Sequence, residues 1–311
     1  MILPYLPRLV ILSLALFFVV HVFVAGVVAL LAPLVIRWLK RSNPAANFLF
    51  LLRLLPAGLA LLAVAALCVP SYLELEPEAT LERVSSASVL IAILGAVMWC
   101  VSIIRTGRAI HNSSAWVRNC ERTGATTSLP GTSLPIVVVK SSPPMFVLAG
   151  ILHPRLIVSQ GVLDELSSAQ LTAVLRHEHG HRAAHDNLKR LLLLLAPISS
   201  ALLDRAWAKH AEWAADDRGA DRFDLAEALV RVARIGSLAA SPVLVSSLIA
   251  EEGDLAARVE RLLDSPTAGK QANPWTRRLV GAAATAALLT AVTFLYAGLP
   301  AVHDALEYLI R

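Results

Sequence analysis

The sequence predicts an α-helical membrane protein with four transmembrane helices that carries a cytoplasmic α+β domain. Three observations lead there. Of the 311 residues 56% are hydrophobic and only 16% charged, with a mean hydropathy of +0.64, too apolar for a soluble chain of this size. Four apolar runs, at about 9–36, 48–69, 87–104 and 279–299, are each long enough to cross a bilayer. Between the last two lies a polar stretch, 106–278, that mixes short β-branched runs with helix-forming segments.

Residues 1–105 hold the first three spans. The first run is too long for a signal-peptide core, and Arg37, Lys40 and Arg41 crowd its far end, so it reads as an uncleaved anchor. His21 and Arg53 lie within spans, where ionisable groups are often functional, but Arg53 is near a span end and its guanidinium is expected to snorkel to the interface. Arg105 and Arg108 follow the third span, and Lys270, Arg277 and Arg278 precede the fourth. The loop after the second span instead carries Glu74, Glu76, Glu78 and Glu82 against Arg83. By the bias of basic residues toward the cytoplasm, both termini are expected outside and 106–278 inside, in a multi-pass protein of the cell membrane. Residues 300–311 then form a short extracytoplasmic tail, too small to fold alone.

The formal charge of +5 comes from basic residues that are scattered and cluster only at the edges of apolar runs, so membrane topology accounts for them and no direct nucleic-acid partner is expected. Cys68, Cys100 and Cys120 have no metal-ligand spacing and imply no disulfide framework.

Within 106–278 a helix over 105–121 continues the third span, and the turn-rich segment 128–133 follows it. Short runs at 135–140, 145–151 and 155–158, separated by Pro and Gly, read as strands of a small sheet. Ser167 and Ser168 offer an N-cap for a helix running to about Arg190. The apolar segment 191–203 is too short to span and reads as a core or membrane-lying helix broken near Pro197. A further helix is expected over 204–217.

The segment 175–181, Leu-Arg-His-Glu-His-Gly-His, contains the pattern H-E-x-x-H. On a helix, His177 and His181 share a face one turn apart, so their imidazoles can grip one ion. Glu178 lies beside that face, where its carboxylate can take a proton from water, the arrangement of a zinc hydrolase with Glu178 as general base. Zinc held by two histidines needs a third protein ligand, and Glu212 in the pair Glu212/Asp216 supplies it. Asp216, one turn on, can accept the free ring N–H of a ligand histidine. An acidic pair on a polar helix is otherwise a solvated face; beside H-E-x-x-H the ligand assignment prevails. His185 repeats the spacing after His181 but has Arg182 where the base should be, and His179 points away from His177, so both are expected to be non-ligands. Gly180 leaves room beside the metal face despite its low helix propensity.

Taken together, these features resemble the membrane zinc metallopeptidases related to the BlaR/MecR antirepressors, the β-lactam-sensing proteins of bacteria. The resemblance runs through three spans, the stretch 150–158 leading to Gly161-Val162-Leu163, the H-E-x-x-H helix with Asp186 five residues past His181, Pro197, the Glu212/Asp216 pair and a last span. It implies a cytoplasmic α+β zinc-metallopeptidase domain with one Zn2+ per chain, ligands His177, His181 and Glu212, and base Glu178. It also implies an edge strand near 145–151, where Phe146, Val147, Leu148, Ala149 and Gly150 hold the substrate backbone by strand addition. The chain stops after the fourth span without the penicillin-binding sensor of the antirepressors, so it is not expected to sense β-lactams itself. Its tyrosines, Tyr5, Tyr72, Tyr296 and Tyr308, lie in or near spans, which leaves His185, His210, Arg218 and Arg222 as candidate oxyanion donors.

The expected function is that of a membrane-embedded zinc endopeptidase acting on a cytoplasmic protein or peptide, with a transcriptional repressor in a signalling pathway as the candidate substrate. The alternatives are a quality-control protease for membrane proteins and a non-catalytic zinc-stabilised scaffold. Retention of base and open coordination speaks against the scaffold, since structural zinc sites close with four protein ligands. Besides the lipid bilayer, the expected partners are a separate sensor protein or further copies of the chain.

Overall fold

The computed structural model describes residues 2–39, 45–75, 82–127, 132, 134–140, 143–151, 153–198, 200–218, 221–236, 244–247 and 252–264. The fourth apolar run and the tail lie outside these residues.

The first three apolar runs are helical. Helix α1 spans Tyr5–Trp38, α2 Ala45–Ala63, and a π-helical turn Val64–Cys68 joins α2 to α3, Val69–Leu75. Helix α4, Ser86–Thr123, begins where the Ser85 hydroxyl accepts the Ser88 amide at 3.1 Å. Among the described residues three helical stretches are long and apolar enough to cross a membrane, Tyr5–Trp38, Ala45–Leu75 and Ser86–Thr123. Many of their large apolar side chains, such as Leu30, Leu51 and Val101, face outward, the pattern of a bundle solvated by lipid. A two-residue pairing of β1, Ile2–Leu3, with β2, Glu82–Arg83, joins the ends of α1 and α4.

The polar remainder builds a five-stranded sheet with helices on both faces. Strand β3 is Ala125–Thr127, β4 Ile136–Val139, β5 Phe146–Ala149, β6 Arg155–Ser159 and β7 Val245–Ser247, in the order β3-β4-β6-β5-β7. Only β4 and β6 run parallel. Ile136, Phe146, Leu148, Leu156 and Val158 face a core shared with α6 and α9, while Val137, Val147, Ala149 and Ile157 face Trp116, Val117 and Cys120 on the far end of α4. With both faces covered, the central strands are near-continuous apolar runs rather than alternating ones. The third membrane-length helix is therefore also the backing of the sheet.

The remaining helices among the described residues are α5, Gln160–Glu165; α6, Ser168–Ala184; α7, Asp186–Leu195; α8, Ala201–Asp216; α9, Arg222–Ile235; and α10, Glu252–Asp264. Ser167 caps α6 in a reciprocal box with Gln170: its hydroxyl accepts the Gln170 amide at 3.3 Å, and its own amide donates to Gln170 Oε1 at 3.0 Å. The single helix expected from Ser168 to Arg190 is two helices. His185, at φ 55°, breaks the hydrogen-bond ladder, and α7 leaves in a new direction. The break expected near Pro197 is present between α7 and α8.

Two further expectations are corrected. The strand over 145–151 is not at the sheet edge: β6 pairs with one side of β5, and β7 pairs antiparallel with the other over Val147–Ala149, taking up the backbone groups an incoming peptide would need. Arg53 does not snorkel. It is buried at 4% exposure, and its Nε lies 3.0 Å from Asp204 Oδ1 on α8.

Candidate metal centre

The one-turn spacing on α6 brings the two imidazoles edge to face, with ring centroids 4.8 Å apart and Nε2 atoms 3.1 Å apart. Gly180 then decides how near α8 can come. A Cβ at this position would stand 3.1 Å from the Ala215 Cα and 3.4 Å from its Cβ and carbonyl oxygen, so the two helices meet backbone to backbone. That approach delivers Glu212, whose Oε2 lies 3.5 Å from His177 Nε2 and whose Oε1 lies 3.4 Å from His181 Nε2. One ligand atom from each of the three residues falls within 4.8 Å of the others.

The other nitrogen of each ring meets a carboxylate. His177 Nδ1 is 2.9 Å from Asp216 Oδ1, and His181 Nδ1 is 2.8 Å from Asp186 Oδ2. A carboxylate on Nδ1 fixes the tautomer that leaves Nε2 free to bind a cation, and both free nitrogens converge on Glu212. Asp186 is the partner that sequence reasoning left without a role; its place five residues past His181 was the available signal. Arg258 was missed altogether. Its guanidinium donates to Asp216 Oδ1 at 2.7 Å and Oδ2 at 3.1 Å, and Nη1 lies 3.2 Å from Glu212 Oε2. It stands 42 residues beyond Asp216 on α10, a separation that carries no local pattern.

The charges are strongly coupled. Burial alone would lower His177 and His181, but Asp216 and Glu212 outweigh it for the first, and Glu212 with Asp186 for the second, so both are raised. Burial would raise Glu212, yet His181 and Arg258 hold it well below the usual carboxylate range. Asp216 likewise overcomes its burial through Arg258 and His177 and sits at about 2. Glu178 is the exception: burial dominates the attraction of the two histidines and pushes it up to about 7.

The residues fit a metal ion. Among the described residues none donates a hydrogen bond to either carboxylate oxygen of Glu178, although both atoms are buried. Buried oxygens without donors are costly unless a cation or water meets them. Two imidazole nitrogens and one carboxylate, each histidine backed by its own carboxylate, form a donor set that suits zinc.

The other candidates are placed as follows. His179 Nε2 lies 3.1 Å from the Thr132 hydroxyl, outside the cluster. Arg218 donates to the Gly180 carbonyl at 3.1 Å, His210 packs edge-on against Trp213, and Arg222 opens α9. His185 is the candidate oxyanion donor that borders a cavity of about 670 Å3, which also takes in His181, Leu148, Gly150, Ile151 and Leu188. Asn187 fixes the rim of this cavity, donating to the Leu148 and Gly150 carbonyls at 3.1 and 2.9 Å. Phe146–Ala149 run beside it in β5, paired to β6 and β7.

A sheet-and-helix domain with two histidines on one helix, a glutamate ligand on a second and a free buried glutamate between them is the architecture of a zinc-dependent peptidase. Residues 115–247 match Peptidase family M48, which implies a metallopeptidase that uses zinc and agrees with the His177/His181/Glu212 cluster. No curated protein matches the chain.

Proposed function

We propose that this chain is a multi-pass cell-membrane zinc endopeptidase, with one Zn2+ per chain, whose site faces the cytoplasm and cuts a cytoplasmic protein. The observation that carries the reading is the buried convergence of His177, His181 and Glu212 with Glu178 beside them and without a donor of its own. The topology rests on the basic residues that flank the spans. A transcriptional repressor is the preferred substrate, supported by the resemblance of the motif set to the BlaR/MecR antirepressors. A separate sensor protein or a second copy of the chain would bring the activating signal.

His177, His181 and Glu212 would hold the metal, with Asp216 and Asp186 fixing the ring orientations. Zinc bound there would supply Lewis acidity for the scissile carbonyl and for a water nucleophile near neutral pH. Glu178 accepts the proton of the attacking water on its carboxylate and returns it to the leaving amine. Leu148 and Gly150 border the cavity that also takes in His181 and His185, so this part of the segment Phe146–Gly150 lies where a substrate would enter.

Glu178→Gln tests this directly. It preserves the size of the side chain and removes the base, so zinc content and membrane level should stay at the parent value while cleavage of a co-expressed cytoplasmic partner falls by roughly 10²-fold or more. Cleavage at the parent rate would rule out the assigned chemistry.

A further inference from the structure

The loop between α7 and α8 is an unusual place to find charged and polar side chains from membrane-length helices. An α-helix ends with four carbonyls that have no partner within the helix, and on a wet surface water satisfies them. At the end of α7 the third membrane-length helix does so instead. The Ser102 hydroxyl donates to the Leu194 and Leu195 carbonyls at 3.2 and 2.5 Å, and Arg105 Nη2 donates to Leu194 and Ala196 at 2.6 and 3.1 Å. At the start of α8, Ser200 caps the Leu203 amide at 3.4 Å, and Asp204 takes the buried Arg53 of α2. Irregular backbone at membrane depth is tolerated only where protein groups satisfy it in this way.

The apolar surface agrees. Leu193, Leu203 and Trp207 pack among Val28, Ala32 and Leu49 of α1 and α2. On the outer side of the hairpin Leu192, Ile198 and Leu202 are exposed, as are Leu51 and Leu55 of α2 and Val101 and Ile104 of α4, the helices against which α8 and α7 pack. The surface of the hairpin is thus continuous with that of the spans. At its base Lys189 reaches the Asn47 side-chain oxygen at 2.8 Å, and Arg190 lies over the buried Trp207 ring at 5.4 Å. Arg53 stands eight residues into α2, and Glu212 stands eight residues past Asp204 on α8, each about 12 Å of helix. The depth of the hairpin in the bundle therefore sets the metal ligand level with the beginning of α2, where Ala45 and Ala211 share one apolar cluster.

We propose that the α7–α8 hairpin is a re-entrant membrane element, its tip immersed about 12 Å into the acyl region and its outer face covered by lipid, so that the Glu212-bearing helix is rooted in the bilayer. Lipid is the occupant because the face continues the surface of the spans and its backbone ends are sealed by their side chains.

The test uses the full chain with the exposed Cys100 replaced by Ala, since Cys68 and Cys120 are buried. A bimane label is placed on Leu192→Cys, Ile198→Cys or Leu202→Cys, with Glu227→Cys on α9 as the exposed control. Each variant is reconstituted into phosphatidylcholine vesicles with plain or brominated acyl chains and kept only if its zinc content equals that of the parent. Labels at the tip should lose most of their emission to brominated lipid and resist aqueous iodide, and the control should do the reverse. Quenching of the tip labels by iodide and not by brominated lipid overturns the proposal. So does shielding from both quenchers with disulfide cross-linking between copies, which would make a second chain the occupant. Because the three tip positions are independent, failure of one variant to fold leaves the others to decide.

Discussion

Replacing Arg258 by Met removes the one guanidinium that contacts both acidic residues of α8 in the metal centre. Arg258 is buried at 3% exposure and bonds Asp216 through two nitrogens at 2.7 and 3.1 Å, with a third contact to Glu212 at 3.2 Å. Methionine fills most of the stem volume, so the perturbation is mainly electrostatic. Removing one partner of a buried ion pair typically costs about 3–5 kcal/mol, because the other charge is left uncompensated. For a domain of this size each kcal/mol moves the unfolding midpoint by about 2–4 °C, so metal-stripped Arg258→Met should melt on the order of 10 °C lower than metal-stripped parent. Zinc changes the comparison. A divalent cation beside Glu212 supplies the countercharge that Arg258 no longer provides, so zinc should raise the midpoint of the variant by more than it raises that of the parent. The assay is thermal unfolding of the purified chain in detergent, with chelator and with saturating zinc. Arg258→Lys should fall in between, since an ammonium retains the charge and loses the two-pronged contact. An unchanged midpoint without metal, or an equal deficit with and without zinc, would refute the view that Arg258 is the charge partner of this site.

Three other expectations follow from the same geometry. Asp186→Asn keeps the shape at His181 and loses the carboxylate, so zinc affinity measured against a competing chelator should fall by about 10–100-fold; unchanged affinity would remove Asp186 from the site. Gly180→Val puts a branched Cβ 3.1 Å from the Ala215 Cα, and the resulting separation of α6 and α8 should destabilise the domain by about 1–3 kcal/mol and weaken zinc retention, which the same unfolding and chelator assays measure. Topology reporters fused after Ser113 and after Arg311 should face opposite sides of the membrane, and agreement between them would refute the four-span arrangement.

Periodicity and spacing determined a good part of this protein by themselves. The three described membrane-length helices, the helix that carries H-E-x-x-H and the candidate ligand set were legible because each depends on residues a few positions apart. Helical geometry at i and i+4 turns His177 and His181 into a pair before any tertiary contact forms. Glu212 was within reach because its four-residue spacing to Asp216 fits a metal ligand followed by an orienting carboxylate. The strands at 135–140, 145–151 and 155–158 were legible from their Pro and Gly boundaries, and the structure places β4, β5 and β6 there.

What tertiary structure alone decided are the matters of partnership. That β5 is flanked on both sides could not be read from its own residues, because β7 arrives from Val245–Ser247, nearly a hundred positions later. The bend at His185 was hidden for another reason. A left-handed residue costs only about 1–2 kcal/mol, and the contacts of Asp186 and Asn187 with His181 and β5 are what hold it in place. Arg53 looked like a snorkelling residue until Asp204 was found beside it, and no local pattern singled out Arg258. Buried charge is settled by which opposite charge the fold delivers to it, and the free energy of that pairing depends on distances in space that sequence separation does not encode.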